Sequence, residues 1–331
     1  MTVAADPELP APGVVIGIGA SAGGVEALTS LVGRLRVGLR AAVVVVLHVS
    51  SSGTSVLAQI LDRAGPLRAL TAADGDRLRE GIVYVAPPDR HVLIEDGTIR
   101  LSAGPRENGH RPAVDPTLRS LADYGSRAVG VILSGTRDDG TAGLARLVAA
   151  GGTALVQEPA EAAYDGMIRS AMTHVAVDGV HRIADLARRL TDLAQNRGEM
   201  PEETHNADHR PATVDRSSTR YTCPECGGHL RREQADTERF VCEVGHAYSP
   251  ASLDDEQALA TESALWTAIR LLGDRASLLD EMAARAGALG HARSAERFRA
   301  QAVEAHQAQQ AIRRLLEDGR VPTAGALGEV A

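Results

Sequence analysis

The chain has 331 residues, a formal net charge of −8 and a hydrophobic content of 44%. Its length allows one large core together with smaller modules, and its hydrophobic content predicts that most of the chain folds. The acidic balance and the absence of a basic tract argue against a nucleic-acid binder, because nothing would neutralise phosphates. The sequence contains no lysine, which excludes a Walker-type phosphate loop and Schiff-base chemistry.

Nothing in the sequence predicts insertion into a membrane. The longest apolar run, residues 41–47, is far too short to cross a bilayer. The first nine residues carry acidic side chains where a signal peptide would be basic, so we expect a cytoplasmic protein. Residues 1–12 contain three prolines and show no periodicity, which predicts a disordered tail.

Between residues 13 and 194, short apolar runs alternate with segments of helical pattern. Strands are predicted at residues 14–18, 42–47, 82–86, 128–133, 153–156 and 175–177. Helices are predicted at residues 25–35, 55–64, 116–124, 142–150 and 183–193, among others. Strands of continuous Val, Ile and Leu are buried on both faces, so the pattern predicts an α/β fold with a doubly wound, largely parallel sheet.

Two segments depart from this alternation. Residues 91–102, which turn at Asp96 and Gly97, predict a hairpin on one edge of the sheet. Between residues 195 and 220 apolar residues almost vanish, and charged residues, Pro, Ser and Thr replace them. That composition predicts a linker between two folded parts.

Residues 221–250 predict a small zinc-ribbon-like module. Two pairs of soft or borderline ligands, each in a tight turn that contains glycine, can enclose a tetrahedral zinc ion. The expected ligands are Cys223, Cys226, Cys242 and His246. The Cys-x-x-Cys pair is the stronger signal, and His229 competes for the fourth position. With four protein ligands such a site would be closed and structural. Unliganded thiols and a redox pair are the alternatives.

The remaining residues have a helical pattern. Apolar side chains recur at spacings of three and four on both sides of residues 287–290, which predicts a helical hairpin at residues 251–318 and a tail at 319–331. The hairpin is interpreted first as a packing unit. Self-association or partner binding remains open, because two helices alone leave half of an apolar stripe exposed.

The candidate nucleophile lies between the first predicted strand and the first predicted helix. Ser21 occupies a small-residue turn, and the segment Gly19-Ala20-Ser21-Ala22-Gly23 has the G-x-S-x-G pattern of a serine hydrolase elbow. The amides and the dipole of the following helix favour negative charge at this point. A helix cap, a phosphate loop and a dinucleotide loop are the alternatives.

Other polar residues follow other predicted strands of the sheet. His48 ends the second strand, and Asp138 and Asp139 follow the strand at 128–133. Ligands of an open parallel sheet bind beyond the carboxyl ends of its strands. Serine, histidine and aspartate at three such ends are the components of a nucleophile, a general base and an orienting carboxylate. A dinucleotide site would instead have an acid after the second strand.

Several short sequence blocks occur together, in order and at compatible spacing. They are Gly19-Ala-Ser21-Ala-Gly-Gly, Leu47-His48, Val83-Tyr-Val-Ala-Pro-Pro-Asp-Arg-His91, His110-Arg-Pro-Ala-Val-Asp115, Val131-Ile-Leu-Ser-Gly135-x-x-x-Asp139-Gly140, Gly143-Leu144, Gly151-Gly152, Gln157-Glu158 and Gly166-Met167. In these blocks, residues 14–193 resemble the catalytic domain of the chemotaxis methylesterase family, the CheB-type protein-glutamate methylesterases.

The resemblance implies that Ser21, His48 and Asp139 form a triad, with Asp139 preferred to Asp138 because the family aspartate directly precedes the glycine. It implies hydrolysis of glutamate methyl esters on the cytoplasmic helices of chemoreceptors, with release of methanol and with glutamine deamidation as a related activity. The expected partner is a methylated receptor-like or other signalling protein. This chemistry needs no cofactor.

The chain also departs from the family pattern. The amides of Ala22 and Thr136 are our candidates for the oxyanion hole. The family usually has Thr or Ser at position 22 and Met-Gly at positions 136 and 137, where this chain has Ala22, Thr136 and Arg137.

Only about a dozen residues precede the first predicted strand, so we expect no amino-terminal receiver domain. An alternative function is a non-catalytic or weakly active scaffold or binding module that engages a signalling partner through the zinc ribbon and the hairpin.

Overall fold

The computed structural model describes residues 12–49, 55–197, 215–234 and 238–318. The predicted terminal tails, apart from residue 12, and most of the predicted linker lie outside these ranges. The chain forms two compact units, residues 1–253 and residues 254–331. None of the helices among the described residues is both long enough and apolar enough to span a bilayer.

The described residues contain thirteen strands and eight α-helices. The strands are β1 (Val14–Ala20), β2 (Ala41–Leu47), β3 (Arg68–Thr71), β4 (Ile82–Val85), β5 (His91–Glu95), β6 (Thr98–Ser102), β7 (Ala128–Ile132), β8 (Thr153–Gln157), β9 (Gly179–His181), β10 (Asp215–Thr222), β11 (His229–Gln234), β12 (Glu238–Cys242) and β13 (Ala247–Tyr248). The helices are α1 (Gly24–Val32), α2 (Leu57–Ala64), α3 (Val114–Ser120), α4 (Thr141–Ala149), α5 (Gly166–His174), α6 (Ile183–Arg197), α7 (Pro250–Ala288) and α8 (Ala292–Glu317).

The central sheet has seven strands in the order β3-β4-β2-β1-β7-β8-β9. Every neighbouring pair in it is parallel. Strands β2, β3 and β4 lie on one side of β1, and the chain then crosses to the other side of β1, where β7 pairs with it. The carboxyl ends of β1 and β7 therefore flank a topological switch point, the place where open α/β sheets bind ligands.

Two apolar cores cover the two faces of this sheet. On one face, residues such as Ile16, Val43 and Val131 pack with α1, α2 and α6. On the other face, residues such as Val15 and Val44 pack with α3, α4, α5 and the β5–β6 hairpin. Because alternate residues of each central strand enter opposite cores, both faces of the strand must be apolar. This explains the continuous apolar runs in the sequence.

The predicted positions of two elements are wrong. The hairpin is not an edge of the central sheet; β5 and β6 form their own two-stranded antiparallel sheet. Side chains of α3 satisfy the outer backbone groups of β5, because the Thr117 hydroxyl donates to the Val92 carbonyl (2.7 Å) and the Ile94 amide donates to the Ser120 hydroxyl (3.0 Å). The last strand lies at β9 and not at residues 175–177.

The ribbon and the carboxyl-terminal helices complete the described chain. Strands β10, β11, β12 and β13 form an antiparallel sheet in that order. Regular structure reaches into both ends of the predicted linker, because α6 extends to Arg197 and β10 begins at Asp215. In the second unit, the Gln309 side-chain amide donates to the Ile269 carbonyl (3.0 Å), which joins α8 to α7 as a helical hairpin.

Candidate active site

Ser21 lies in the turn between β1 and α1, at the switch point of the sheet. Its amide donates a hydrogen bond to the carbonyl of Ser134 (2.9 Å), just after β7. The Ser134 hydroxyl donates to the Ala22 carbonyl (2.7 Å), so the two turns hold each other. A Cβ atom at Gly135 would lie 3.0 Å from Ser21 Cβ and 2.1 Å from Met167 Sδ. Only glycine lets this turn approach Ser21 so closely.

His48 follows β2 and stands between Ser21 and Asp139. Its Nδ1 atom lies 3.1 Å from Ser21 Oγ, and its Nε2 atom lies 2.6 Å from Asp139 Oδ2. The side chains of His48 and Asp139 are only 7% and 2% exposed. The two ring nitrogens have the reverse of their roles in chymotrypsin-like serine proteases. The structure thus brings the three predicted residues into one continuous hydrogen-bonded chain.

Asp139 accepts hydrogen bonds from five donors. They are His48 Nε2, the Asn108 side-chain amide and the backbone amides of Val114, Asp115 and Gly140. Burial alone would raise the pKa of Asp139, but the hydrogen bond and charge of His48, together with the other donors, outweigh it and lower that pKa. Asp139 is therefore an ionised carboxylate that can hold an imidazole proton on Nε2.

A second buried carboxylate lies beside Asp139. The Asn108 side-chain amide also donates to Asp115 Oδ2 (2.9 Å), and the Gly143 amide donates to Asp115 Oδ1 (2.6 Å). Burial, followed by the charge of Asp139, raises the pKa of Asp115 to about 7. Two neighbouring buried carboxylates do not ionise equally, and here Asp115 is the one that retains its proton.

The raised pKa of Asp115 predicts a pH-dependent stability. An unfolded Asp titrates near pH 4, whereas folded Asp115 keeps its proton up to about pH 7. Over that window the folded chain binds more protons than the unfolded chain, so the free energy of unfolding contributed by Asp115 falls as pH rises. Asp139, with its lowered pKa, acts in the opposite direction and only below about pH 4.

We expect the denaturant midpoint of the wild type to fall between about pH 4 and pH 7 more steeply than that of Asp115→Asn, which cannot titrate there. Denaturant unfolding followed at several pH values in this window provides the measurement. Equal slopes for the two proteins would show that Asp115 does not carry the pH dependence.

The ring of His110 stacks on the ring of His48, the candidate general base. The rings of His110 and His48 stack with centroids 3.7 Å apart and an interplanar angle of 14°. Burial and the neighbouring His48 lower the pKa of His110 to about 3. His110 is therefore neutral near pH 7, and it limits rotation of the His48 ring without adding a second charge to it.

The residues around the predicted oxyanion hole lie in the turn after β7. Thr136 is exposed, and Arg137 adopts φ +64. That left-handed conformation suits the glycine that the family pattern usually has at this position. Within the described ranges, no acceptor is found for the amides of Ala22 and Thr136. Asp138, the other candidate for the triad, instead accepts a hydrogen bond from the Ser252 hydroxyl (2.7 Å).

Sequence comparison identifies the family of the sheet domain. A family profile described as CheB methylesterase matches residues 16–190, more than half of the chain. The chain belongs to the CheB methylesterase family. The match spans all seven strands of the central sheet except the first two residues of β1. It ends before the ribbon and the helical hairpin begin.

Individual relatives and a solved structure agree with the CheB assignment. The chain is 38% identical over 194 residues to "Protein-glutamate methylesterase/protein-glutamine glutaminase 1" of Paramagnetospirillum magneticum, a match that covers 57% of this chain and 51% of that protein. A putative enzyme of the same name from Leptospira interrogans is 34% identical, with 54% and 94% of the two chains covered. The chain spans about half the length of several curated relatives that it matches.

The solved structure is that of the Thermotoga maritima CheB methylesterase catalytic domain. It superposes with a TM-score of 0.53 and 32% identity, and the match covers 55% of this chain and 98% of that domain. The predicted α/β fold with a doubly wound parallel sheet is therefore confirmed as the CheB catalytic-domain fold.

Beyond the CheB-like part, the four predicted metal ligands form one cluster. The ligand atoms of Cys223, Cys226, Cys242 and His246 all lie within 4.8 Å of one another. His246 Nδ1 is 3.7 Å from Cys223 Sγ and 3.6 Å from Cys242 Sγ, and the sulfur atoms of Cys226 and Cys242 are 3.6 Å apart. Ligands of a tetrahedral zinc ion are separated by about 3.5–3.8 Å, so this donor set fits zinc.

The surroundings of the cluster favour His246 over His229 as the fourth ligand. His229 is exposed on β11 and is not part of the cluster. His246 is buried, and its Nε2 atom faces Glu225 Oε2 at 3.5 Å. A carboxylate in this position is typical behind metal-bound histidines, because it fixes the ring with Nδ1 toward the metal.

Sequence reasoning missed three residues that contact the site: Asn108, His110 and Asp115. The block His110-Arg-Pro-Ala-Val-Asp115 contributed to the family resemblance, so a signal for His110 and Asp115 existed without a role attached to it. Asn108 had no such signal. Its contacts with residues 115, 139 and 249 become visible only in the folded chain.

Proposed function

We propose that the chain is a serine esterase that hydrolyses glutamate methyl esters in a protein and releases methanol. The observation that carries this proposal is the position of His48, which bridges Ser21 Oγ and a buried, ionised Asp139 at the switch point of a CheB-type sheet. Relatives named protein-glutamate methylesterase/protein-glutamine glutaminase support the substrate class and add glutamine deamidation as a related activity.

In the proposed reaction, Ser21 Oγ attacks the ester carbonyl while His48 Nδ1 takes its proton. The imidazolium then donates that proton to the departing methoxide, and methanol leaves. In the second half, His48 Nδ1 removes a proton from water as the water attacks the acyl group on Ser21. The imidazolium then returns that proton to the departing Ser21 Oγ, which restores the free serine. Asp139 keeps the other ring proton on Nε2 throughout and stabilises the positive charge of the imidazolium.

We assign the oxyanion hole to the amides of Ala22 and Thr136. Both follow strand ends at the switch point, and Ala22 lies just before α1, whose dipole favours negative charge near its amino-terminal end. These are backbone donors, so the exchange of Met-Gly for Thr136 and Arg137 leaves the donor in place. Arg137 adds a positive charge to the turn after β7.

The direct test is methanol release from a methylated receptor fragment by the full chain. We expect enzyme-dependent release of methanol with a matching gain of free glutamate, and release of ammonia from a glutamine-containing fragment at a lower rate. A chain that binds the fragment and releases no methanol above the uncatalysed rate would instead support the alternative, a signalling scaffold with little turnover.

The domain assignment follows from the same proposal. We assign residues 13–197 to the catalytic domain, 215–250 to a zinc-ribbon-like module that includes β10, and 251–318 to a helical hairpin, which confines the linker predicted at 195–220 to residues 198–214. The substrate would be a receptor-like or other signalling protein in the cytoplasm, where the methylated helices of chemoreceptors lie. Partner binding or self-association through the hairpin is part of this proposal, because large apolar side chains such as Trp266 and Leu278 are exposed on α7.

We also propose that the ribbon binds one structural zinc ion through the four clustered residues. The closed set of four ligands leaves no position for a substrate, so zinc would hold the two turns together and take no part in the hydrolysis.

Removing the metal should destabilise the chain. We expect the wild type to contain about one zinc per chain and Cys223→Ser to lose it, with a melting temperature lower by about 5–15 °C. Metal analysis and thermal unfolding measure the two effects. His229→Ala is the matched control and should keep both the zinc and the wild-type melting temperature; loss of zinc in this variant would assign the fourth ligand to His229.

A further inference from the structure

Asn108 connects the candidate triad to the ribbon. Its side chain is buried, at 3% exposure, and its side-chain amide donates to both Asp139 Oδ1 and Asp115 Oδ2 at 2.9 Å. The side-chain Oδ1 atom of Asn108 accepts a hydrogen bond from the backbone amide of Ser249 (3.0 Å). The backbone amide of Asn108 donates a hydrogen bond to the carbonyl of Ala247 (2.8 Å). One side chain therefore contacts the carboxylate of the triad and the chain that follows the metal-ligand cluster.

The ribbon residues that contact Asn108 directly follow the ligand His246. The same segment reaches the site a second time, because the Ser252 hydroxyl donates to Asp138 Oδ1 (2.7 Å), next to Asp139 in the chain. The turn between Cys242 and His246 also packs against the catalytic domain. At Gly245, with φ +104, a Cβ atom would lie 3.0 Å from Pro105 Cγ.

Ion pairs across this contact are weaker than its buried hydrogen bonds. Arg106 faces Glu225 at 3.7 Å, and Arg239 faces Glu107 at 3.4 Å, with all four side chains at least partly exposed. Partly exposed pairs of this kind contribute little to stability. Among these contacts, the buried hydrogen bonds of Asn108 are the ones that reach Asp139 itself.

We infer that Asn108 is a positioning residue that couples the metal-bound ribbon to the triad, so that full esterase activity requires the ribbon to be folded around its metal. The inference rests on the proposed function for both the triad and the zinc site. Asn108 acts through Asp139 and has no contact with the reacting atoms.

The physical reason is the loss of two partners at once. Without metal, the turn at Cys226 and the turn at Cys242 and His246 keep only weaker contacts, such as that of His246 Nε2 with Glu225 Oε2 at 3.5 Å, and the segment from Ala247 to Ser249 is held less firmly. Asn108 then loses both of its ribbon partners, and its side-chain amide is no longer held on Asp139. The buried carboxylate of Asp139 then has one hydrogen-bond donor fewer, and the His48 ring that it orients is held less firmly.

The test compares wild type, Asn108→Gly, Cys226→Ser and the double variant as full-length chains. Glycine fits φ +52 at this position, so Asn108→Gly removes the side chain without backbone strain. Cys226 is exposed, and of the contacts described above its side chain takes part in those within the metal-ligand cluster. We expect each single variant to lower kcat by about 10- to 100-fold with KM within about threefold, and the double variant to be no slower than the slower single variant.

A second readout does not depend on turnover. The proton between His48 Nε2 and Asp139 should give a downfield NMR signal in wild type and in Ser21→Ala, and this signal should shift or broaden in both Asn108→Gly and Cys226→Ser. Asp96→Gly is the matched control, because Asp96 has a similar φ of +47 on the exposed hairpin turn; its kcat and its signal should match the wild type.

A zinc-free Cys226→Ser chain with wild-type kcat and an unchanged His48 signal would overturn the coupling. So would a double variant whose loss is the product of the two single losses, because the two sites would then act independently. Failure of the proposed function looks different: the wild type would release no methanol. A shifted His48 signal in both variants would still support the positioning role of Asn108.

Discussion

Ser21→Ala should lower methanol release by roughly 10⁴- to 10⁶-fold, to near the uncatalysed rate. Removal of the hydroxyl leaves His48 Nδ1 without the proton donor that lies 3.1 Å away, and no acyl-enzyme can form. The fold should survive, since the turn is held by the Ser21 amide and the Ser134 hydroxyl and not by Ser21 Oγ. Methanol release at saturating methylated fragment measures the effect.

The control for Ser21→Ala is Ser30→Ala on the surface of α1, where the hydroxyl only accepts an exposed hydrogen bond from Arg34. It should retain wild-type turnover. If Ser21→Ala and wild type released equal amounts of methanol, the serine esterase mechanism would be wrong, whatever family the fold belongs to.

His48→Ala and Asp139→Asn should each lower turnover by about 10³- to 10⁴-fold. Alanine at position 48 removes the base. The two carboxylate oxygens of Asp139 together accept five hydrogen bonds, and asparagine replaces one of these oxygens with an NH2 group. That group is itself a donor, so it faces other donors and favours the wrong tautomer of the His48 imidazole. KM should change much less than kcat, because neither side chain is proposed to bind the protein substrate.

Asp138→Asn separates the two neighbouring aspartates. Asp138 contacts Ser252 and does not reach His48. The loss of turnover in Asp138→Asn should therefore be at least about 100-fold smaller than the loss in Asp139→Asn. A loss below tenfold for either His48→Ala or Asp139→Asn would remove that residue from its proposed role.

The candidate site could be predicted in part because its three central residues follow strands with strong apolar signals. Strands β1, β2 and β7 are buried along their whole length, so their ends could be located from the sequence, and parallel strands bring those ends together. The choice between Asp138 and Asp139 needed the family resemblance, since both follow the same strand.

Weaker elements were missed or misplaced because tertiary contacts decide them. The run at residues 175–177 is apolar, yet Val175 directly follows α5 and packs into the core. The edge strand β9 forms instead from a Gly-Val-His segment with no strand signal. Strand β3, also at an edge, has one buried residue, Ala69. Short edge strands take their conformation from a neighbour more than from their own residues.

The contact between Asn108 and Ser249 joins positions 141 residues apart, and the His48–Asp139 pair joins positions 91 apart. No local pattern encodes the first of these, because Asn108 stands alone in a loop. The second was accessible only through the rule that places strand ends at one edge of a parallel sheet. Chemistry that depends on loop-to-module contacts therefore requires the folded chain.

The most direct test of a single relay is the turnover of the double variant His48→Ala/Asp139→Asn beside the two single variants. If Asp139 acts only through the imidazole that it holds at 2.6 Å, the double variant should turn over within about threefold of His48→Ala alone. A double variant whose loss equals the product of the two single losses would show that the residues act separately, and would contradict the relay.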